Sequence, residues 1–490
     1  MFSSFVIILI LLLYFSILIF IAKITSSDNS NVSFFLGKRK SPWYIVAYGM
    51  IGVSLSGITF LSVPGWVKTN EFFYIQMVLG YIPGYLFVAR VLIPIYYKLN
   101  VYSIYEYLKK RFGFYSHKVG AGYFFLSRLL GASLRLFLVA EVLQLLLFDQ
   151  LGVPFFLTTF ITISLIWLYT YRGGIKTIIW TDTLQTTFML LTVFLCIYTI
   201  MQKMGYSSIG DSISQNPLNL NFFFFDDFNQ PYHFLRSFFA GMFITIAMTG
   251  LDQDMMQKNL SCKTIGEAQK NMIWFSWVLL FVNILFLYLG ALLYDFADAT
   301  CISSIDPSGT SYLNISGDML FVEVVKEGSL GMLVFIFFLL GLMSAAYSSA
   351  DSALTSLTTS FCVDFLNMKS DNTSLGLFSK RTLVHLFVSF LLLCIIILVK
   401  YLNNDSIITT LFLLASYTYG PLLGLFIFGV FTNRKIIDKQ VPFFIIFPPV
   451  LSYLISRYDT YIFNGFDFGP DLIIINGLIT FLILFSISKK

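Results

Sequence analysis

Apolar residues run along this chain in stretches of about twenty, separated by short polar segments. A helix rising 1.5 Å per residue needs about that length to cross roughly 30 Å of hydrocarbon. Such runs begin near residues 3, 43, 73, 119, 153, 179, 235, 271, 329, 382, 405, 441 and 470, which predicts about thirteen transmembrane helices. The first run, SFVIILILLLYFSILIF, has no basic stretch before it and no small-residue cleavage pattern after it. It reads as a retained span rather than a signal peptide. The pattern predicts one integral membrane domain over residues 1–490.

Three runs are irregular. The second, residues 44–66, contains GVSLSGITFLSVPG, where Gly57, Pro64, Gly65 and several hydroxyls interrupt an apolar helix. The seventh, residues 235–256, carries MTGLDQDM toward its inner end. Two interrupted helices in corresponding places point to an inverted-repeat transporter, because unwound backbone is tolerated at membrane depth only where it lines a cavity. Isolated Gly and Pro also kink membrane helices routinely. The ninth run contains GLMSAAYSSADSALTSLTTSFCVDF over residues 341–365, crowded with hydroxyls and carrying Asp351. Facing such groups toward lipid costs several kcal/mol, so they suggest a cation site or path. Close helix packing would explain Ser and Ala, but it needs no aspartate.

Composition removes other classes. With 57% hydrophobic and 12% charged residues, the chain falls far below the roughly one-quarter charged fraction of soluble domains. If the N-terminus is outside, about 22 of the 31 Lys and Arg fall in inner loops or at the C-terminus, as the positive-inside rule requires. This predicts a multi-pass protein of the plasma or inner membrane with a cytoplasmic C-terminus. The net charge of +5 follows from that asymmetry and implies no nucleic-acid partner. The loops expected outside, near 203–234 and 295–328, are comparatively acidic. Cys196 and Cys394 fall in spans, Cys262 and Cys362 near inner ends, and Cys301 alone outside, which suggests neither a disulfide framework nor a thiolate metal site. The three histidines are scattered, and no nucleophile, base and oxyanion arrangement stands out, so an enzyme is not expected. No cofactor is expected either.

Six segments in order resemble the sodium:solute symporters: SLSGITFLSVPG, NVYSIYEYLKKRFG, YRGGIKTIIWTDTLQ, DQDMMQKNLSCKTIGEAQKN, SSADSALTSLTTSFCVDF and SYTYGPLLGLFIFG. The likeness covers residues 41–431 and is greatest to the sialic acid transporter branch. It implies an all-α leucine-transporter fold, with two inverted five-helix repeats and flanking helices, and uptake of a small organic solute driven by sodium. On that basis residues 1–40 hold the first span and inner loop, 41–202 the first repeat, 235–431 the second, and 441–490 two further spans.

The resemblance also implies site residues. Sodium needs hard oxygen ligands, which a broken helix and a facing hydroxyl-bearing one supply. The sodium site shared by the fold matches the carbonyls of Gly52, Leu55 and Ala345 and the hydroxyls of Ser348 and Ser349. A second sodium site, known in sialic acid transporters of the family, matches Asp182, Ser348 and Ser352, with Asp351 where the family pattern has a serine. An aspartate such as Asp182 can also simply cap or snorkel at a helix end. Asp252 and Asp254 beside Lys258 read as a solvated ion pair near the inner boundary.

Substrate contacts in sialic acid transporters match Ser54, Ser56, Thr59, Tyr74 and Val78. The last is glutamine there, and its loss removes an amide hydrogen bond. Arg128 and Arg135, seven residues apart, share a helix face. The family's carboxylate-binding arginine falls about one turn before Arg135. An anionic solute such as a sialic acid, another sugar acid or an amino acid is expected, with Arg135 as its counter-charge. Pairing of either arginine with Glu141 or a lipid headgroup is the competing expectation. Thr245, Met248 and Thr249 are candidates for the far wall of the pocket. Coupling to protons through Asp182 and Asp351, or a solute sensor that does not transport, remain alternatives; the chain's end at SISKK, with no soluble signalling domain, favours transport. Solute identity, sodium stoichiometry and oligomeric state are open at this point.

Overall fold

Hydrocarbon offers backbone groups no partner, so each apolar run satisfies its own N–H and C=O by forming a helix. The computed structural model describes residues 4–25, 30–216, 218, 220–300, 317–326, 330–368, 379–402 and 407–489. Cys301, Lys490 and residues 301–316 of the loop expected outside lie outside the described residues. In chain order the main helices are α1 (Ser4–Thr25), α2 (Trp43–Ser54), α3 (Gly57–Asn70), α4 (Tyr74–Leu99), α5 (Phe114–Phe148), α6 (Phe155–Gly173), α7 (Ile175–Met204) and α8 (Phe234–Gly250). They continue with α9 (Gln253–Leu260), α10 (Ile265–Ala299), α11 (Met332–Phe365), α12 (Lys380–Leu402), α13 (Ile407–Phe431), α14 (Phe447–Ile462) and α15 (Leu472–Ser486). Among the described residues, nine helices are long and apolar enough to cross a membrane, or eleven if each bent pair is one span. Two shorter apolar helices, Phe155–Tyr171 and Leu472–Ser486, complete the thirteen expected spans.

Both expected interruptions are present. The axis turns by 57° between α2 and α3 and by 64° between α8 and α9. At the first break Leu55 (φ −82°, ψ 36°) and Ser56 (φ −39°, ψ 172°) leave helical geometry. The chain restarts at Gly57, where a Cβ would lie 2.5 Å from Val139 Cγ2. At the second break Asp252 caps α9, its Oδ1 accepting from the Asp254 N–H (2.8 Å) and the Met255 N–H (3.3 Å).

The two breaks treat their freed carbonyls differently. The Tyr96 hydroxyl donates to Gly250 O (2.9 Å) and the Tyr105 hydroxyl to Leu251 O (2.7 Å). Among the described residues, no side chain donates to the carbonyls of Gly52 or Leu55.

Packing draws the breaks into the interior. Helix α2 lies against α7, α10 and α11, while α8 packs on α4 and α9 on α11. The α4–α8 crossing is close because glycine stands on both sides. A Cβ at Gly80 would lie 2.0 Å from Phe238 O, and one at Gly241 would lie 2.0 Å from Met77 O. Replacing Gly241 with Ala should therefore push the helices apart at a cost of about 1–3 kcal/mol. Purified Gly241→Ala protein should melt a few degrees below the parent; equal melting temperatures would contradict the tight crossing.

Candidate ion and substrate sites

The α2 break is aimed at α7 and α11 by one close approach. Gly52 N–H donates to Thr186 Oγ1 (3.1 Å), and a Cβ at Gly52 would lie 2.4 Å from that same atom. Only glycine lets the helices meet there. On α11, Ser348, Ser349 and Ser352 are at most 1% exposed, and their Oγ atoms have no hydrogen-bond partner among the described residues. Thr355 Oγ1 is likewise unpartnered.

That is unusual even within this molecule, because hydroxyls in apolar helices normally bond back to their own carbonyls. Further along α11, Thr358 bonds Leu354 O (2.7 Å) and Thr359 bonds Thr355 O (2.8 Å). On α7, Thr183, Thr186, Thr187 and Thr192 all do the same. A buried polar atom left unpaired costs about 1–3 kcal/mol, so a row of them is available to a ligand or an ordered water. Helix α2, whose break frees carbonyls, packs on α11, and neutral hydroxyls with freed carbonyls are the hard-oxygen donors that suit a small cation.

Next to this row lies a charged cluster whose pairing differs from the sequence expectation. Lys258 was expected in a solvated pair with Asp252 and Asp254. It is instead 1% exposed, and its Nζ donates to Asp182 Oδ2 at 2.7 Å. Asp182 Oδ1 is buried without a partner. Asp351 is also buried; its Oδ2 accepts from the Tyr169 hydroxyl (2.8 Å) and its Oδ1 from the Ser352 N–H (2.6 Å). Asp351 lies within electrostatic reach of both Asp182 and Lys258. Asp182 and Asp351, both expected around a second sodium, are thus neighbours, and the Lys258 ammonium sits on the Asp182 carboxylate.

Asp252 and Asp254 belong to another buried group. Arg128 pairs with Asp254 Oδ2 and approaches Asp252 Oδ2 at 3.9 Å, while the Tyr419 hydroxyl donates to Asp252 Oδ2 at 2.5 Å. A solvated pair near the boundary was therefore the wrong expectation, because the α8–α9 break carries both carboxylates into the protein. Glu141 does not pair with either arginine; it bonds Lys400 (2.5 Å).

Arg135, one face-repeat beyond Arg128, makes no ion pair among the described residues, and its Nε is buried without a partner. It opens on a cavity whose wall also includes Ser54, Ser56, Thr59, Tyr74, Thr245 and Met248. Those seven residues, from four different spans, are the substrate contacts expected from sequence. Val78 is buried but does not line the cavity.

The sodium:solute symporter family model matches residues 34–436. The chain belongs to the sodium:solute symporter family. It is 25% identical over 462 residues to the sodium/sialic acid symporter SiaT of Proteus mirabilis (strain HI4320), covering 91% of this chain and 88% of that protein. It is 26% identical over 421 residues to the sodium/sialic acid symporter NanT of Aliivibrio fischeri (strain ATCC 700601 / ES114), covering 83% and 79%. A solved structure of a Na+-coupled sialic acid symporter in a substrate-bound, outward-open state superposes with a TM-score of 0.80 at 21% identity, covering 99% of this chain and 98% of that one. The fold is that of the leucine transporter, and the protein is a multi-pass, sodium-coupled symporter of a small solute.

The symporter's cavity also contains residues that sequence reasoning missed. Tyr81 and Tyr85 join Tyr74, whose hydroxyl lies 3.2 Å from that of Tyr81. Their spacing from Tyr74, seven and eleven residues on, marks one helix face and could have been recognised. Asn283, a lone amide inside a span, also lines the wall. Phe412 borders both this cavity and a second one walled by Asn70, Tyr232 and residues 467–470. Nothing in the local sequence around Phe412 signals that position.

Proposed function

We propose that this symporter imports a small organic anion carrying a carboxylate, of the sialic acid or sugar-acid class, across the plasma or inner membrane. Arg135 carries the reading. Of two arginines on one face, Arg128 is spent on two buried aspartates, whereas Arg135 presents an unpaired guanidinium to a cavity walled by hydroxyls and tyrosines. A guanidinium recognises a carboxylate through charge-assisted, bidentate hydrogen bonds. The hydroxyls of Ser54, Ser56, Thr59, Thr245 and the tyrosines suit a polyhydroxylated body, and the sialic acid relatives support that class.

In the same proposal the coupling sodium is held by the carbonyls of Gly52, Leu55 and Ala345 and by Ser348 and Ser349. The unpartnered hydroxyls and freed carbonyls support that assignment. Residues 41–202 and 235–431 are the two repeats, each with its bent pair, and the N-terminus is outside. The residues would strip and hold the ion; sodium supplies the gradient. Uptake of labelled sugar acids and their neutral analogues into proteoliposomes, with an inward sodium gradient and with choline in its place, tests the proposal. Carboxylates should accumulate only with sodium. Preference for a neutral sugar would overturn the anionic-solute reading.

A further inference from the structure

We propose that the Lys258 ammonium is a tethered cation standing where a second sodium ion would bind, so that this symporter binds one sodium ion, not two. The inference rests on the sodium-coupled reading above. Three observations carry it.

The first is position. Lys258 lies on α9 just after the second break, is 1% exposed, and reaches across to Asp182 on α7 at 2.7 Å. A buried ammonium and a buried carboxylate are each costly unless paired, so neither can be released to an incoming ion without leaving the other stranded.

The second is hydrogen-bond capacity. An ammonium has three N–H donors, and among the described residues Lys258 Nζ uses one. Asp182 Oδ1, on the carboxylate that Lys258 already meets, is unpartnered among the described residues. A small movement of the flexible lysine stem could satisfy it without any second ion. Each Asp351 oxygen already accepts one hydrogen bond, from the Tyr169 hydroxyl and from the Ser352 N–H, which leaves it fewer lone pairs for an ion.

The third is charge. With both carboxylates ionised, Asp182, Asp351 and Lys258 sum to one negative charge. One sodium at Ser348 and Ser349 brings these three groups to neutrality. A second would leave them positive, at the energetic cost that buried, unpaired charge always carries. Asp351, the carboxylate found where the family pattern has a serine, restores the negative charge that Lys258 removes from Asp182.

Equilibrium binding of radioactive sodium to the purified protein decides the matter. The parent should bind one ion per chain with a Hill coefficient near one. Lys258→Met empties the position and leaves two negative charges, so it should bind two ions per chain with a coefficient above one. Two ions in the parent would overturn the proposal whether or not the variant folds. One ion in both proteins would also overturn it, because removing the ammonium should open the site. No sodium bound to the parent would instead overturn the sodium reading on which the proposal rests.

Discussion

Replacing Ser348 and Ser349 together with alanine is expected to weaken sodium binding by roughly 100-fold or more, since a hydrogen bond or ligand contact to a charged partner is worth about 1.5–3 kcal/mol. The sodium-free protein should behave in the opposite sense. Both Oγ atoms are buried without partners, so their removal deletes two unsatisfied polar atoms from the interior. In potassium or choline buffer the double variant should melt no lower than the parent. In sodium the parent should gain stability by mass action, about 2.7 kcal/mol at a hundred times its dissociation constant, and the variant should not. Melting curves in the two salts separate loss of a ligand from loss of fold. A variant that retains the parent's sodium-dependent stabilisation and uptake would show that the row of free hydroxyls serves another purpose.

Arg135→Ala should nearly abolish uptake of a carboxylate solute, because about 1.5–3 kcal/mol of charge-assisted bonding corresponds to a roughly 10- to 100-fold loss in affinity. Arg135→Lys should fall between, keeping the charge but losing the planar fork. The discriminating comparison is an amide or ester of the same solute. It should bind the parent weakly and lose little further in Arg135→Ala, since the group it lacks is the one Arg135 meets. Equal losses for the acid and its neutral analogue would assign Arg135 a packing role. Arg128 offers a contrast: removing it strands two buried aspartates, so its loss should impair folding for every solute alike.

The spans, both helix breaks and the hydroxyl row were legible in the sequence because each is a local property. A run of about twenty apolar residues must become a helix in hydrocarbon, and Ser-Gly or Gly-Leu-Asp within it marks where that helix can be interrupted. Ser54, Ser56, Thr59 and Tyr74 were legible through motif likeness, which transfers positions between chains of one fold, and Arg135 through the cost of an arginine inside a span. The partners of the charged groups were not legible. Lys258 lies four and six residues from Asp254 and Asp252, yet its carboxylate is on Asp182, 76 positions away. Arg128 finds Asp254 across 126 positions. Ion pairing depends on contact within about 4 Å and on shared removal from water. Sequence spacing reports neither once a helix breaks and turns its charges inward. Only the packing of α9 among α2, α7, α10 and α11 decided that the neighbouring charges are buried apart, Asp252 and Asp254 with Arg128 and Lys258 with Asp182.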